Sequence, residues 1–101
     1  RVSGWLGDHQ KPFFQSQVKK LEAAGLAHDF EHVDCPDHAS KVRFLHGIDV
    51  LSVPTVYHEP KGLYILEALA NGVPVVQPAH GSFPELVEMT GGGLLARPDD
   101  P

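Results

Sequence analysis

Cysteine is nearly absent. A single thiol, Cys35, stands among 101 residues, which excludes an internal disulfide framework and fits a reducing compartment, so the expected location is cytoplasmic. Long apolar runs are missing as well: no stretch approaches the ~20 residues of a membrane-spanning helix, and association with a membrane surface is left open. The first ten residues, RVSGWLGDHQ, hold no apolar signal-peptide core. Positive charge is also scarce. Eight Lys and Arg face thirteen Asp and Glu, for a net charge of -5, so nothing electrostatic points to nucleic acid as a partner. An anionic ligand would have to be held by local donors such as helix N-termini. What is present is a hydrophobic share of 42%, enough to exclude disorder and to build one domain of modest core, expected to span residues 1–101.

Helical and extended patterns alternate along the chain. Arg1 to Gly4 reads as the end of a strand. Pro12 to Ala24 has helical spacing through Phe14, Val18 and Leu21, with Pro12 suited to a first turn and Gly25 to a C-cap. Residues 30–35 read as a short strand, and Asp37 as the N-cap of a helix reaching about His46. The β-branched run 49–56 predicts a strand ending near Pro54. A helix from about Gly62 to Ala70 follows, closed by Asn71-Gly72. A strand at 74–78, a helical turn or two at Phe83 to Met89 and a last strand at 92–97 complete the reading. Pro98 to Pro101 resembles a helix start, and both ends look cut, which suggests a fragment. Such alternation predicts an α/β fold with a parallel sheet and helices on both faces. Ligands of such sheets bind beyond the carboxyl ends of the strands.

The stretch HEPKGLYILEALANGVPVVQP, residues 58–78, sits at one of those ends. The helix opening at Gly62 aims its orphan N–H groups and the positive end of its dipole at the preceding loop, a site suited to phosphate. Gly62 allows a ligand close to the backbone. At 100° per residue, Ile65, Leu69, Leu66, Ala70 and Leu63 sweep one apolar arc, with Glu67 at its margin, partly desolvated and in need of donors.

Glu59-Pro60-Lys61-Gly62 followed by Glu67-Ala68-Leu69-Ala70-Asn71-Gly72-Val73-Pro74-Val75-Val76 resembles the E-x7-E motif of family-4 glycosyltransferases, retaining enzymes of the GT-B fold. HGIDVLSVPT (46–55) and the tail HGSFPELVEMTGGGLLARPDDP (80–101) extend the resemblance over roughly residues 30 to 101. It implies a Rossmann-like, partial GT-B C-terminal domain that binds a nucleoside-diphosphate sugar as donor substrate, with no other cofactor and no metal. Glu59 is implied as the catalytic carboxylate facing the sugar, Gly62 and Leu63 as amides for the diphosphate, and Glu67 as the acceptor for ribose hydroxyls. His80 and Gly81 fall where that family contacts the donor. The chain departs from the pattern at Pro60, where Gly is usual, and at Lys61, where Phe is usual. Lys61 brings a cation to the mouth of the phosphate site. The family's upstream Arg/Lys pair and its N-terminal acceptor domain lie outside these residues, so the domain by itself is expected to transfer no sugar. The alternative class is a non-catalytic α/β binding or interaction module in which the two glutamates are vestigial. His28, His32, Cys35 and His38 imitate metal-ligand spacing, but in a strand His32 and Cys35 point to opposite faces.

Overall fold

Two short parallel pairs of strands organise the computed structural model, which describes residues 1–99. The chain divides into two units, Arg1–Phe44 and a second beginning at Leu45, each described by itself. In the first, β1 (Val2–Ser3) pairs with β2 (His32–Val33) in the register Val2 to His32 and Ser3 to Val33. Helix α1 (Lys11–Ala23) connects them, with Pro12 in its first turn and Gly25 just past its end at φ 73°. A 3-10 turn at Asp8–Gln10 leads into α1 and another at Ala27–Asp29 follows it, neither evident from the apolar spacing. The Phe14 ring of α1 meets Phe30 at 6.0 Å and the edge of His32 at 5.2 Å, so the helical spacing seen in the sequence does mark the face turned to β2.

Helix α2 (His38–His46) begins at Asp37 as expected. Asp37 Oδ1 accepts the Ser40 N–H at 2.7 Å, and Ser40 Oγ accepts the Asp37 N–H at 3.2 Å, a reciprocal cap that closes the first turn. The Ser40 N–H, followed by its hydroxyl, holds the Asp37 carboxyl below the usual carboxylate range.

In the second unit, helix α3 (Leu63–Ala70), strand β3 (Val75–Pro78), helix α4 (Phe83–Thr90) and strand β4 (Gly93–Ala96) follow in order. Strands β3 and β4 are parallel, from Val75 opposite Gly93 to Pro78 opposite Ala96. Alternation along β3 puts Val75 and Gln77 inside and Val76 outside. Ile65, Ala68, Val73, Val75 and Phe83 are buried and form the core of this unit with Leu45. The turn at Phe83 grows into a full eight-residue helix.

Two expectations need correction. The strand over 49–56 is reduced, among the described residues, to one bridge from Leu51 to Val75. The Leu51 N–H donates to Pro74 O and the Val76 N–H to Leu51 O, both at 3.0 Å. Beyond that point the buried Gln77 amide replaces the ladder: its Oε1 accepts the Val53 N–H at 3.2 Å and its Nε2 donates to Leu51 O at 3.3 Å. Pro54 has no N–H to continue with, so a side chain completes what backbone cannot. Within each unit the paired strands are parallel, as the alternation of helices and strands predicts. The apolar arc of α3 is also narrower than the helical wheel suggests. Ile65 and Ala68 are inside, whereas Leu63 is 61% and Leu66 42% exposed. The expected helix start at 98–101 lies partly outside the described residues, because Asp100 and Pro101 are not among them.

The Gln77 amide therefore carries the segment 51–53. Gln77→Leu keeps the volume but strands the Val53 N–H, and should lower unfolding free energy by about 1–3 kcal/mol. Val76→Thr, on the outer face of the same strand, should stay within about 0.5 kcal/mol. Urea unfolding of both variants checks this, and equal midpoints would remove Gln77 from its role.

Candidate functional site

The turn Tyr57 to Gly62 lies between the Leu51 bridge and α3. Its form follows from one side chain. Glu59 Oε1 accepts the N–H groups of Lys61 and Gly62, each at 3.1 Å, so the carboxylate closes back on the start of α3. Its other oxygen, Oε2, faces the Tyr57 hydroxyl at 3.3 Å and the Tyr64 hydroxyl at 3.5 Å. Gly62 itself is left-handed at φ 65° and is buried, and a Cβ there would come within 2.9 Å of Leu86 Cδ1. A side chain at this position would both strain the backbone and press on α4.

The same turn is clamped from the other side by the loop after β3. Ser82 N–H donates to Glu59 O at 2.8 Å. Gly81 has φ 58°, and a Cβ on it would sit 2.7 Å from both the backbone N and O of Glu59. Only glycine lets the two loops approach this closely. Gly81 is thus tied to Glu59 by packing, a role its sequence position does not show.

Electrostatics follow the same geometry. The Gly62 and Lys61 N–H groups hold the Glu59 carboxyl below the usual carboxylate range, so it is ionised at neutral pH. Burial, then the neighbouring Glu59 charge, pushes the Tyr64 phenol up to about 12. Tyr57 is raised by the same two causes.

Of the residues singled out by sequence, Glu59, Lys61, Gly62 and Gly81 come together at this turn. Leu63 begins α3 beside them and is exposed. The Gly62 amide expected for a phosphate is donated to Glu59. Glu67 lies in the second turn of α3, half-buried, with its carbonyl accepting the Asn71 side-chain amide at 2.9 Å. His80 lies across the turn: its Nε2 is 2.9 Å from Thr55 O, and its ring stacks flat on His58, 4.9 Å between centroids and 5° between planes. Elsewhere, His32 Nε2 is 3.3 Å from Gly4 O and the Cys35 thiol faces Val33 O and Ser40 O. No group of three metal-ligating side chains occurs among the described residues.

Beyond the carboxyl ends of β3 and β4 lies an open pocket of about 620 Å³, walled by Ser52, Thr55, His58, His80, Arg97 and Asp99 among others. Sequence reasoning named only His80 of these as a site residue. Strand ends offered a signal, since Thr55 follows the Leu51 bridge segment and Arg97 directly follows β4. Tyr57 and Tyr64 were also missed, because no motif marks a phenol that faces a carboxylate only once the turn is folded.

The chain matches the family described as glycosyl transferases group 1 over residues 3–101. A curated relative is the lipopolysaccharide core biosynthesis mannosyltransferase LpsB of Rhizobium meliloti (strain 1021), 40% identical over 96 residues. The match takes in 86% of this chain and 25% of that relative, so the chain spans about a quarter of the relative's length. No solved structure gives a significant match. No helix among the described residues is long and apolar enough to cross a membrane.

Because its raised value favours the neutral phenol, Tyr64 contributes stability below its ordinary 10.0 and loses it as pH rises through about 12. Ultraviolet titration, with Tyr64→Phe to assign the signal, should show this late ionisation. Glu59→Gln should lower the Tyr64 midpoint without returning it to 10.0, since burial is the larger cause. A midpoint unmoved by Glu59→Gln would place the carboxylate away from the phenol.

Proposed function

The chain belongs to the group 1 glycosyl transferases, and from that membership we propose that it is the donor-binding part of a retaining enzyme that uses a nucleoside-diphosphate sugar. The observation that carries the reading is the placement of Glu59 and Glu67 on either side of the α3 N-terminus, the first ionised and fixed at the turn, the second half-buried on the helix. A carboxylate held ionised is no general acid. It accepts hydrogen bonds from sugar hydroxyls and offsets the positive charge of an oxocarbenium-like transition state.

In this reading the bond between the anomeric carbon and the diphosphate oxygen breaks, its electron pair leaving with the diphosphate. The bond to the acceptor oxygen forms on the same face, and the acceptor's hydroxyl proton passes to the departing diphosphate oxygen. The departing charge meets the first-turn amides of α3, Leu63 among them, and the Lys61 ammonium, donors fixed before the reaction begins. No metal or further cofactor is required. Glu67 accepts the ribose hydroxyls. The acceptor-binding domain belongs to the remainder of such a protein, and the mannosyltransferase relative makes a mannosyl donor the first to test.

Two carboxylates with different tasks should separate on substitution. In the whole protein, Glu67→Ala should weaken nucleoside-diphosphate binding by about tenfold to a hundredfold, the usual loss for a hydrogen bond to a charged group. Glu59→Ala should leave that affinity nearly intact and lower the rate of transfer. Calorimetry and steady-state kinetics decide between this and equal losses of affinity, which would refute the assignment. Lys61→Phe should weaken the diphosphate and flatten its salt dependence while leaving the bare nucleoside as before. Titration at two salt concentrations tests it, and an unchanged diphosphate affinity would return Lys61 to a plain surface role.

A further inference from the structure

Two phenols share one oxygen of Glu59, and the E-x7-E pattern calls for neither. Tyr57 lies before it, and Tyr64 falls at one of its unspecified positions. Each oxygen of a carboxylate has about two lone pairs. Oε1 is taken by the Lys61 and Gly62 N–H groups and Oε2 by the two hydroxyls, so an incoming sugar hydroxyl finds no lone pair left. One of the four donors has to yield.

The fold decides which. The two amides belong to the entry into α3 and cannot withdraw without undoing its cap. Tyr64 sits in α3 itself, half-buried, its ring edge-on to the buried Phe83 at 6.2 Å and 62°. Moving that phenol means repacking the core. Tyr57 stands in the turn, 58% exposed, and can swing into solvent at little cost.

The contact distances fit a shared oxygen. At 3.3 and 3.5 Å, Oε2 reaches neither phenol at ordinary O–H···O length. Once Tyr57 withdraws, Oε2 can close on Tyr64. That phenol stays a donor, because burial and then the Glu59 charge keep it neutral.

We propose that Tyr57 is a specificity-determining placeholder, its hydroxyl standing at Glu59 Oε2 where a single sugar hydroxyl binds, and that Tyr64 is the positioning residue that keeps Oε2 aimed at the sugar. The inference rests on the donor reading above, in which Glu59 faces the sugar. Because Oε1 stays committed to the helix start, Glu59 recognises one hydroxyl and not a vicinal pair. A donor without that hydroxyl leaves Tyr57 in place.

The test uses the full-length protein that contains this chain, with GDP-mannose and UDP-glucose as probes and the bare nucleoside diphosphates as controls. Tyr57→Phe keeps the ring and removes the competing hydroxyl. In calorimetry it should tighten nucleotide-sugar binding by about three- to tenfold and leave the bare diphosphate unchanged. Removing a phenol that only supports the fold would tighten nothing. Among monodeoxy analogues of the donor that binds, one should gain nothing from Tyr57→Phe, since it has no hydroxyl for the freed oxygen. Tyr64→Phe should lower kcat for diphosphate release from that donor by about tenfold, with KM within about twofold of the parent, because misaiming costs rate more than binding. The proposal is overturned if Tyr57→Phe binds the nucleotide sugar no tighter, if every analogue gains alike, or if Tyr64→Phe keeps the parental kcat. Should the parent bind neither nucleotide sugar nor diphosphate, the donor reading fails and the inference falls with it. A parent that binds the nucleotide sugar, with a Tyr57→Phe variant that binds it no better, overturns the inference alone.

Discussion

The second unit is arranged around a carboxylate that has bent back onto its own backbone. Glu59 receives the Lys61 and Gly62 N–H groups on one oxygen and the Tyr57 and Tyr64 hydroxyls on the other. A carboxylate has about four lone-pair sites, so these four donors fill it. The turn, the left-handed Gly62 and the first turn of α3 are fixed by that arrangement together. Its backbone carbonyl is held by Ser82, and the bare Cα of Gly81 lets the second loop lie against it. The two phenol contacts, at 3.3 and 3.5 Å, are longer than usual for O–H···O bonds, whereas the two amide contacts are of ordinary length. In the proposed donor reading, a sugar hydroxyl arriving at Oε2 would replace a phenol and leave the helix cap intact, so that one residue would serve both as cap and as sugar contact.

Beneath the turn, a second polar side chain does comparable service. Gln77, buried on β3, ties Leu51 and Val53 where Pro54 ends the possibility of a ladder. The segment entering the turn is thus anchored by an amide and the segment leaving it by a carboxylate. Apolar burial of Ile65, Ala68, Val75 and Phe83 supplies the bulk of the cohesion, as in any small α/β unit. The polar pair supplies position. The pocket at the carboxyl ends of β3 and β4 is a consequence, because the early end of the 49–56 strand turns Thr55 and His58 over those ends.

Much of this was legible in the sequence, and for physical reasons. Helix spacing and caps located α1, α2 and α3, since Phe14, Asp37 and Asn71-Gly72 act within one or two turns. The position of Glu59, Gly62 and Glu67 around the start of α3 was legible because the motif records local geometry. The failures were non-local. Whether Leu63 and Leu66 are covered depends on neighbours that periodicity cannot see, and the shortened strand depends on Gln77, 24 residues from Val53. Tyr64 was read as neither core nor site, since a phenol's partner is set by the fold. The packing of Gly81 against the Glu59 backbone was likewise out of reach, because it joins loops that are distant in sequence.

The most direct measurement is carboxyl NMR of Glu59 across acid pH, recorded together with the Lys61 and Gly62 amide signals. Two backbone donors stabilise the ionised form, so the folded carboxyl titrates below its ordinary 4.5. What the clasp contributes to stability is therefore present above that value and is lost as pH falls through the lower one. The account predicts a Glu59 midpoint below 4.5 with both amide signals moving at that same midpoint. A midpoint at or above 4.5, with the amides unmoved, would contradict it.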